Sequence, residues 1–273
     1  MGRIEYWLLG AVGALIAFVA LDSVRGNALP PHNYSLTIEQ AGHPRAEISA
    51  SSDSSPRDDA PRGRETIDMH GAVLPSKAHA PVRNVADVRR RIADGAQRTY
   101  ILDLLSSQDS VLYRWPDTRT ELRIWIQSDA HIRDWWAGYV LSARDVFLEW
   151  ETAGLPLRFQ FPTDSAGADI VIRWIDQFPP DEMRIGKTHR LYDQNAWVTH
   201  AEIVVALHDR DGDRFPPGEI SEILRHEVGH ALGLGHSRDR GTIMYPENTQ
   251  LDITEIDKET LHLLYTLPPG RVR

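Results

Sequence analysis

The chain has 273 residues, 41% of them hydrophobic, which is enough for one sizeable core and too little for two full enzyme domains. A formal net charge of -9, with no clustered basic stripe, excludes a nucleic-acid partner. Cysteine is absent, so disulfides, thiolate ligands and a thiol nucleophile are excluded, and any metal ion must be held by nitrogen and oxygen.

Residues 6–21 (YWLLGAVGALIAFVAL) are apolar and uncharged behind Arg3, the pattern of an export signal or a signal anchor. The stretch is short for a bilayer span, which takes about 20 residues. Ala28, with Gly26 two residues upstream, makes an imperfect cleavage site, so a cleaved leader and a retained anchor both stay open for residues 1–28. Residues 29–84 are rich in Ser, Pro, Asp and Arg and read as a flexible polar linker, with too few apolar side chains to offset the entropy of ordering. Residues 85–115 regain an amphipathic pattern through Val85, Val88, Ile92, Ile101, Leu102 and Leu105. This predicts one or two helices, interrupted at Gly95, as an N-terminal extension packing outside a main domain at 116–273.

Leu122, Ile124 and Ile126 alternate with Arg123, Trp125 and Gln127, the period of a strand. Residues 131–151 carry Trp135, Tyr139, Val146, Phe147 and Trp150 at helical spacing, a stripe that reads as core. Residues 155–161, 168–175 and 201–207 read as further strands. Strands alternating with long helices predict an α+β (mixed α/β) fold with a twisted mixed sheet.

Pro216 and Pro217 open the next helix, where a missing N–H costs nothing, and Glu219 and Glu222 suit its positive start. His226 and His230 are four residues apart, so both imidazoles leave one face about 6 Å apart, a separation that suits two ligands on one ion. Glu227 is rotated by about 100°, beside the metal position rather than among the ligands. It can act as general base towards a metal-activated water and pass the proton to a leaving amine. A straight helix would carry His236 about 9 Å further along its axis. The helix must therefore break, and Gly233 and Gly235 supply residues able to adopt positive φ and bring His236 round as third ligand. Three histidines leave a fourth position open, as catalytic zinc requires. The pattern H-E-x-x-H-x-x-G-x-x-H arises by chance in roughly one such chain in ten thousand.

The run HEVGHALGLGHS (residues 226–237), followed by Met244, Tyr245 and Pro246, resembles the matrixin branch of the metzincin zinc proteases. The resemblance covers most of residues 122–265. It implies a metzincin (zincin-like) catalytic domain with a small C-terminal subdomain after Gly233 and one catalytic zinc. The activity implied is a zinc-dependent endopeptidase, with a protein or peptide as substrate. It also implies that Met244 forms a Met-turn beneath the three imidazoles, that Tyr245 and Pro246 line a substrate pocket, and that residues 201–207 are the edge strand against which a peptide is laid. Asp257 has two open roles, a support for the Met-turn or part of a capping box opening the last helix with Thr254.

The chain departs from the family in lacking the cysteine that caps the metal in latent forms. His189, Asp193, His200 and His208 do not reproduce the family's structural zinc site. Asp209, Asp211 and Asp213 suit a calcium ion by charge, but Arg214 stands where the EF-hand needs glycine, and a solvated acidic loop is the competing reading. A zinc-bearing module that only holds peptides is the competing functional class, and Glu227 argues against it because a structural site needs ligands alone. The expected protein is a monomer, secreted or membrane-anchored with the catalytic domain outside the cytoplasm, touching a membrane only through its N-terminal segment. A lone leader before a cysteine-free domain points to a bacterial source.

Overall fold

Alternation at residues 121–126 becomes strand β3 (Glu121–Ile126), with Leu122, Ile124 and Ile126 buried and the residues between them more exposed. The computed structural model of the chain describes residues 73–74, 84–182, 184–247 and 250–272. The expected leader at 1–28 lies outside the described residues, as does the polar linker apart from Asn84 and strand β1 (Val73–Leu74). No helix among the described residues is long and apolar enough to cross a membrane.

Before β3 come helices α1 (Val85–Gly95) and α2 (Ile101–Ser107) and strand β2 (Val111–Leu112). After it come α3 (Gly138–Glu151), β4 (Arg158–Gln160), β5 (Ile170–Ile175), β6 (Gly186–Asp193) and β7 (Val198–Ala206). The chain then forms α4 (Pro217–Leu232), α5 (Glu255–Thr266) and β8 (Gly270–Arg271). The main sheet has the order β1-β6-β7-β5-β3-β4; β6 is antiparallel to β7 and every other pairing is parallel. This is an α+β fold on a mixed sheet. Helices α3 and α4 pack on each other, α3 reaching β4 and α4 reaching β6 and β7. Their shared core includes Phe147, Trp150, Ile172, Ile203, Ile223 and Val228, all essentially without solvent contact.

Three expectations change. Residues 201–207 are not an edge: Ala201 to Ala206 pair with β5 on one side, and Ala201 to Val205 with β6 on the other. The sequence GKTHRLYD of β6 has no clean two-residue apolar period, so nothing marked it as a strand. The outer side of β6 pairs with β1 only at Tyr192 and Asp193. Secondly, the long helix begins at Gly138 rather than near residue 131, because Asp134 adopts a left-handed conformation (φ 57°) and its carboxylate meets His208 Nε2 at 3.0 Å.

Thirdly, residues 85–115 do not pack outside the main domain. Val88, Ile92, Ile101 and Leu104 are buried in the same apolar cluster as Leu261 and Leu264 of α5. Strand β2 pairs with β8, so the segments flanking the sheet in sequence close on each other. After Gly233, the apolar face of α5 needs a partner among the described residues, and α1 and α2 give it something to pack against.

Candidate metal centre

Helix α4 starts on Pro217 and buries Ile220, Ile223, Leu224, Val228, Ala231 and Leu232. Its length is set by its far end. Gly233 adopts φ 117°, its N–H donates to His230 O at 3.0 Å, and Leu234 N–H donates to Gly229 O at 3.0 Å, the paired closure of a Schellman motif. The next carbonyls are satisfied from outside: Trp115 Nε1 donates to Ala231 O at 3.0 Å and the Tyr265 hydroxyl to Leu232 O at 2.9 Å. Gly235 does not take positive φ. It stands instead at a close approach, where a Cβ would lie 3.0 Å from Ser107 Oγ.

The reversal brings His236 to the two helix histidines. Ring centroids stand 4.6 Å apart for His226–His230, 5.3 Å for His226–His236 and 4.9 Å for His230–His236. His226 Nδ1 lies 2.7 Å from Ile243 O and His230 Nδ1 lies 2.9 Å from Leu234 O. A carbonyl only accepts, so both Nδ1 atoms carry hydrogen and both Nε2 atoms present lone pairs. His226 Nε2 is buried without a partner, and His230 Nε2 stands 3.3 Å from His236 Nε2. Two nitrogens bound tetrahedrally at 2.0–2.1 Å from one zinc are separated by about 3.3–3.4 Å, so the donor set fits that ion. Burial holds His226 down at about 3 and His236 at about 4, and holds His230 well below the ordinary imidazole value, so all three are neutral and ready to coordinate.

Glu227 is completely buried. Its Oε2 accepts a 2.6 Å hydrogen bond from Thr188 Oγ1, while Oε1 is buried without a partner. Burial pushes the carboxyl up to about 8, against the lowering effects of the Thr188 hydrogen bond and the Arg184 charge. Gly186 makes room for it: a Cβ there would lie 2.5 Å from Glu227 Oε1 and 2.8 Å from Ile223 Cγ2. Sequence reasoning missed Thr188 and Gly186, since only the tertiary contact of β6 with α4 brings them to the glutamate.

Met244 is fully buried against α4, and a Cβ at Gly229, between the two helix histidines, would collide with its Sδ. The main chain beside it is held by Asp257, whose Oδ2 accepts from Ile243 N at 3.1 Å. The same oxygen accepts from Thr254 N at 2.9 Å and Thr254 Oγ1 at 2.6 Å, within a capping box at the start of α5. One carboxylate thus does both of the things open to it. Burial raises Asp257 even so.

The acidic loop gathers no comparable site. Asp209 Oδ1 accepts from Asp211 N at 2.9 Å and Asp213 N at 2.8 Å, so this carboxylate shapes a turn in place of collecting three carboxylates around a calcium ion. His208 lies between Asp134 and Asp176, at 3.0 and 2.7 Å. Among the described residues, His226, His230 and His236 form the one group placed to hold a metal.

The family model for matrixins matches residues 137–266. Among curated proteins, the chain is similar to Metalloendoproteinase 1-MMP of Arabidopsis thaliana, 27% identical over 133 residues, covering 45% of this chain and 36% of that one. It is also similar to Metalloendoproteinase 2-MMP of the same plant, 34% identical over 89 residues, covering 31% and 22%. The matches thus span about a third or less of these relatives' length. Both are plant proteins, and the expected bacterial source gains no support from them.

Proposed function

With a matrixin-like metzincin domain in residues 137–266 as premise, we propose that this chain is a zinc-dependent endopeptidase in which Glu227 is the general base. The observation that carries the reading is the convergence of three neutral imidazoles, two of them fixed with the Nε2 lone pair inward, beside a buried carboxylate. His226, His230 and His236 would hold the ion. When bound, zinc supplies Lewis acidity, which makes water a nucleophile near neutral pH and polarises a carbonyl.

The chain's own residues do the remainder. Glu227 Oε1, free of protein partners, accepts the proton of the attacking water and delivers it to the amine that leaves. Thr188 holds Oε2 and so fixes which oxygen is free. Met244 and Gly229 together set a close-packed floor that resists displacement of the two helix histidines. Substrate recognition falls to β6, next to α4, because the side of β6 turned away from β7 meets a neighbouring strand among the described residues only at Tyr192 and Asp193. An extended peptide would add to that edge, with the cleaved bond near Thr188 and Glu227.

Residues 1–28 serve as leader or anchor and 29–84 as linker in this reading, which makes the enzyme secreted or membrane-tethered; the uncharged apolar run at 6–21 supports it. Glu227→Gln tests the mechanism. The variant should fold and retain zinc while cleavage of a peptide library falls by three orders of magnitude or more, roughly 4 kcal/mol in the barrier. Unchanged turnover in zinc-loaded variant would refute the role of Glu227.

A further inference from the structure

Helix α2 packs on α5 and touches the segment that carries His236. Tyr100, at its start, is buried; its hydroxyl donates to Asp257 Oδ1 at 3.1 Å and its N–H to Thr260 Oγ1 at 3.2 Å. The other oxygen of Asp257 accepts from Ile243 N, and the Ile243 carbonyl accepts from His226 Nδ1 at 2.7 Å. A chain of hydrogen bonds therefore runs from Tyr100 through Asp257 and one peptide residue to a metal-facing imidazole. One turn along, Asp103 Oδ2 accepts from Arg238 N at 3.0 Å, two residues past His236. Ser107 lies close to Gly235, the residue just before His236: a Cβ added there would stand 3.0 Å from Ser107 Oγ. The helix thus holds both segments that fix the site: the loop carrying the third imidazole and the turn carrying Met244.

We infer that α1 and α2 are a permanent part of the metal-binding unit, with Tyr100 and Asp103 as positioning residues for His226 and His236 respectively. The inference rests on the zinc-centre reading of the three histidines. An extension built to be shed would leave the ligand-bearing loops complete without it. Here its removal would strip Asp257 Oδ1 and Arg238 N of the partners they have, and would uncover Leu261 and Leu264.

The test uses the full chain carrying Tyr100→Phe or Asp103→Ala, beside Leu102→Ala, which trims an exposed side chain on the same helix. Zinc loss to excess chelator is timed with a colorimetric dye, and each protein is also loaded with cobalt(II), whose visible absorption reports ligand geometry. Zinc should leave about three- to tenfold faster from the Tyr100 and Asp103 variants, less than the 10–100-fold typical of a ligand's direct partner. Their cobalt bands should shift, and the Leu102 variant should match the parent. Unchanged rates and spectra in both variants, whatever their melting temperatures, would overturn the inference and leave the helices as packing alone. A parent protein that takes up neither ion would overturn the zinc reading itself, and the parent's own behaviour tells the two failures apart.

Discussion

Thr188→Val removes the hydroxyl that holds Glu227 and leaves a side chain of nearly the same shape. That hydroxyl stands 2.6 Å from Glu227 Oε2 and 2.9 Å from the Glu227 carbonyl, and its single proton serves one of them at a time. With the carboxyl ionised, the proton lies on the bond to Oε2. With it neutral, the carboxyl O–H donates to Thr188 Oγ1 and the hydroxyl turns to the carbonyl. A hydrogen bond to a charged group contributes about 1.5–3 kcal/mol and a neutral one about 0.5–1.5 kcal/mol. The ionised form therefore gains roughly 1–1.5 kcal/mol over the neutral one, or about one pH unit. In the valine variant the acidic limb of kcat/KM should move about one unit to higher pH, with activity below the limb about tenfold lower. Both proteins carry the same ion, so the difference isolates the hydroxyl. The assay is a pH profile of kcat/KM on a fluorogenic peptide mixture, with zinc content measured at each pH. An unmoved limb at full zinc occupancy would refute the reasoning.

Two further outcomes are expected. Gly229→Ala should lose about 1–3 kcal/mol in urea denaturation, because its Cβ meets Met244 Sδ and lies 3.2 Å from Trp150 Cζ2 in a packed core; a neutral result would mean that the floor is not rigid. With metal stripped, stability should peak near pH 6.5. Imidazoles held below their usual 6.5 lose stability as pH falls beneath that value, while Glu227, raised from 4.5 to about 8, loses it as pH rises between those values. Below pH 6.5 three imidazoles outweigh one carboxyl; above it the carboxyl acts alone among these four. Glu227→Gln should flatten most of the alkaline fall in urea titrations across pH, leaving the weaker contribution of half-buried Glu222, itself raised to about 7. Equal slopes in the two proteins would count against the buried carboxylate.

What the sequence made legible was local or periodic. The spacing of His226 and His230, the break at Gly233 and the alternation in β3 each follow from dihedral geometry over a few residues, and each stands in the fold as read. The misreadings share one cause. Strand β6 owes its pairing to β7 and its cover to α4, the late start of α3 to a contact of Asp134 with a residue 74 positions away, and the burial of α1 and α2 to a helix near the other end of the chain. Gly235 was assigned a torsional role and stands instead at a close approach, because the helix beside it comes from residues 101–107. The edge on which a peptide could be laid moved from β7 to β6 for the same reason: neighbours in a sheet are fixed by long-range packing, which one-dimensional patterns record weakly.

The antiparallel pairing of β2 with β8 joins Val111 to Arg271, and it dictates when this protein can finish folding. Until residues 255–271 are in place, α1 and α2 have no α5 to rest on and the turn carrying Met244 lacks the carboxylate of Asp257. Loop closure over some 160 residues comes late. The three imidazoles are therefore assembled last, when segments far apart in the chain have met.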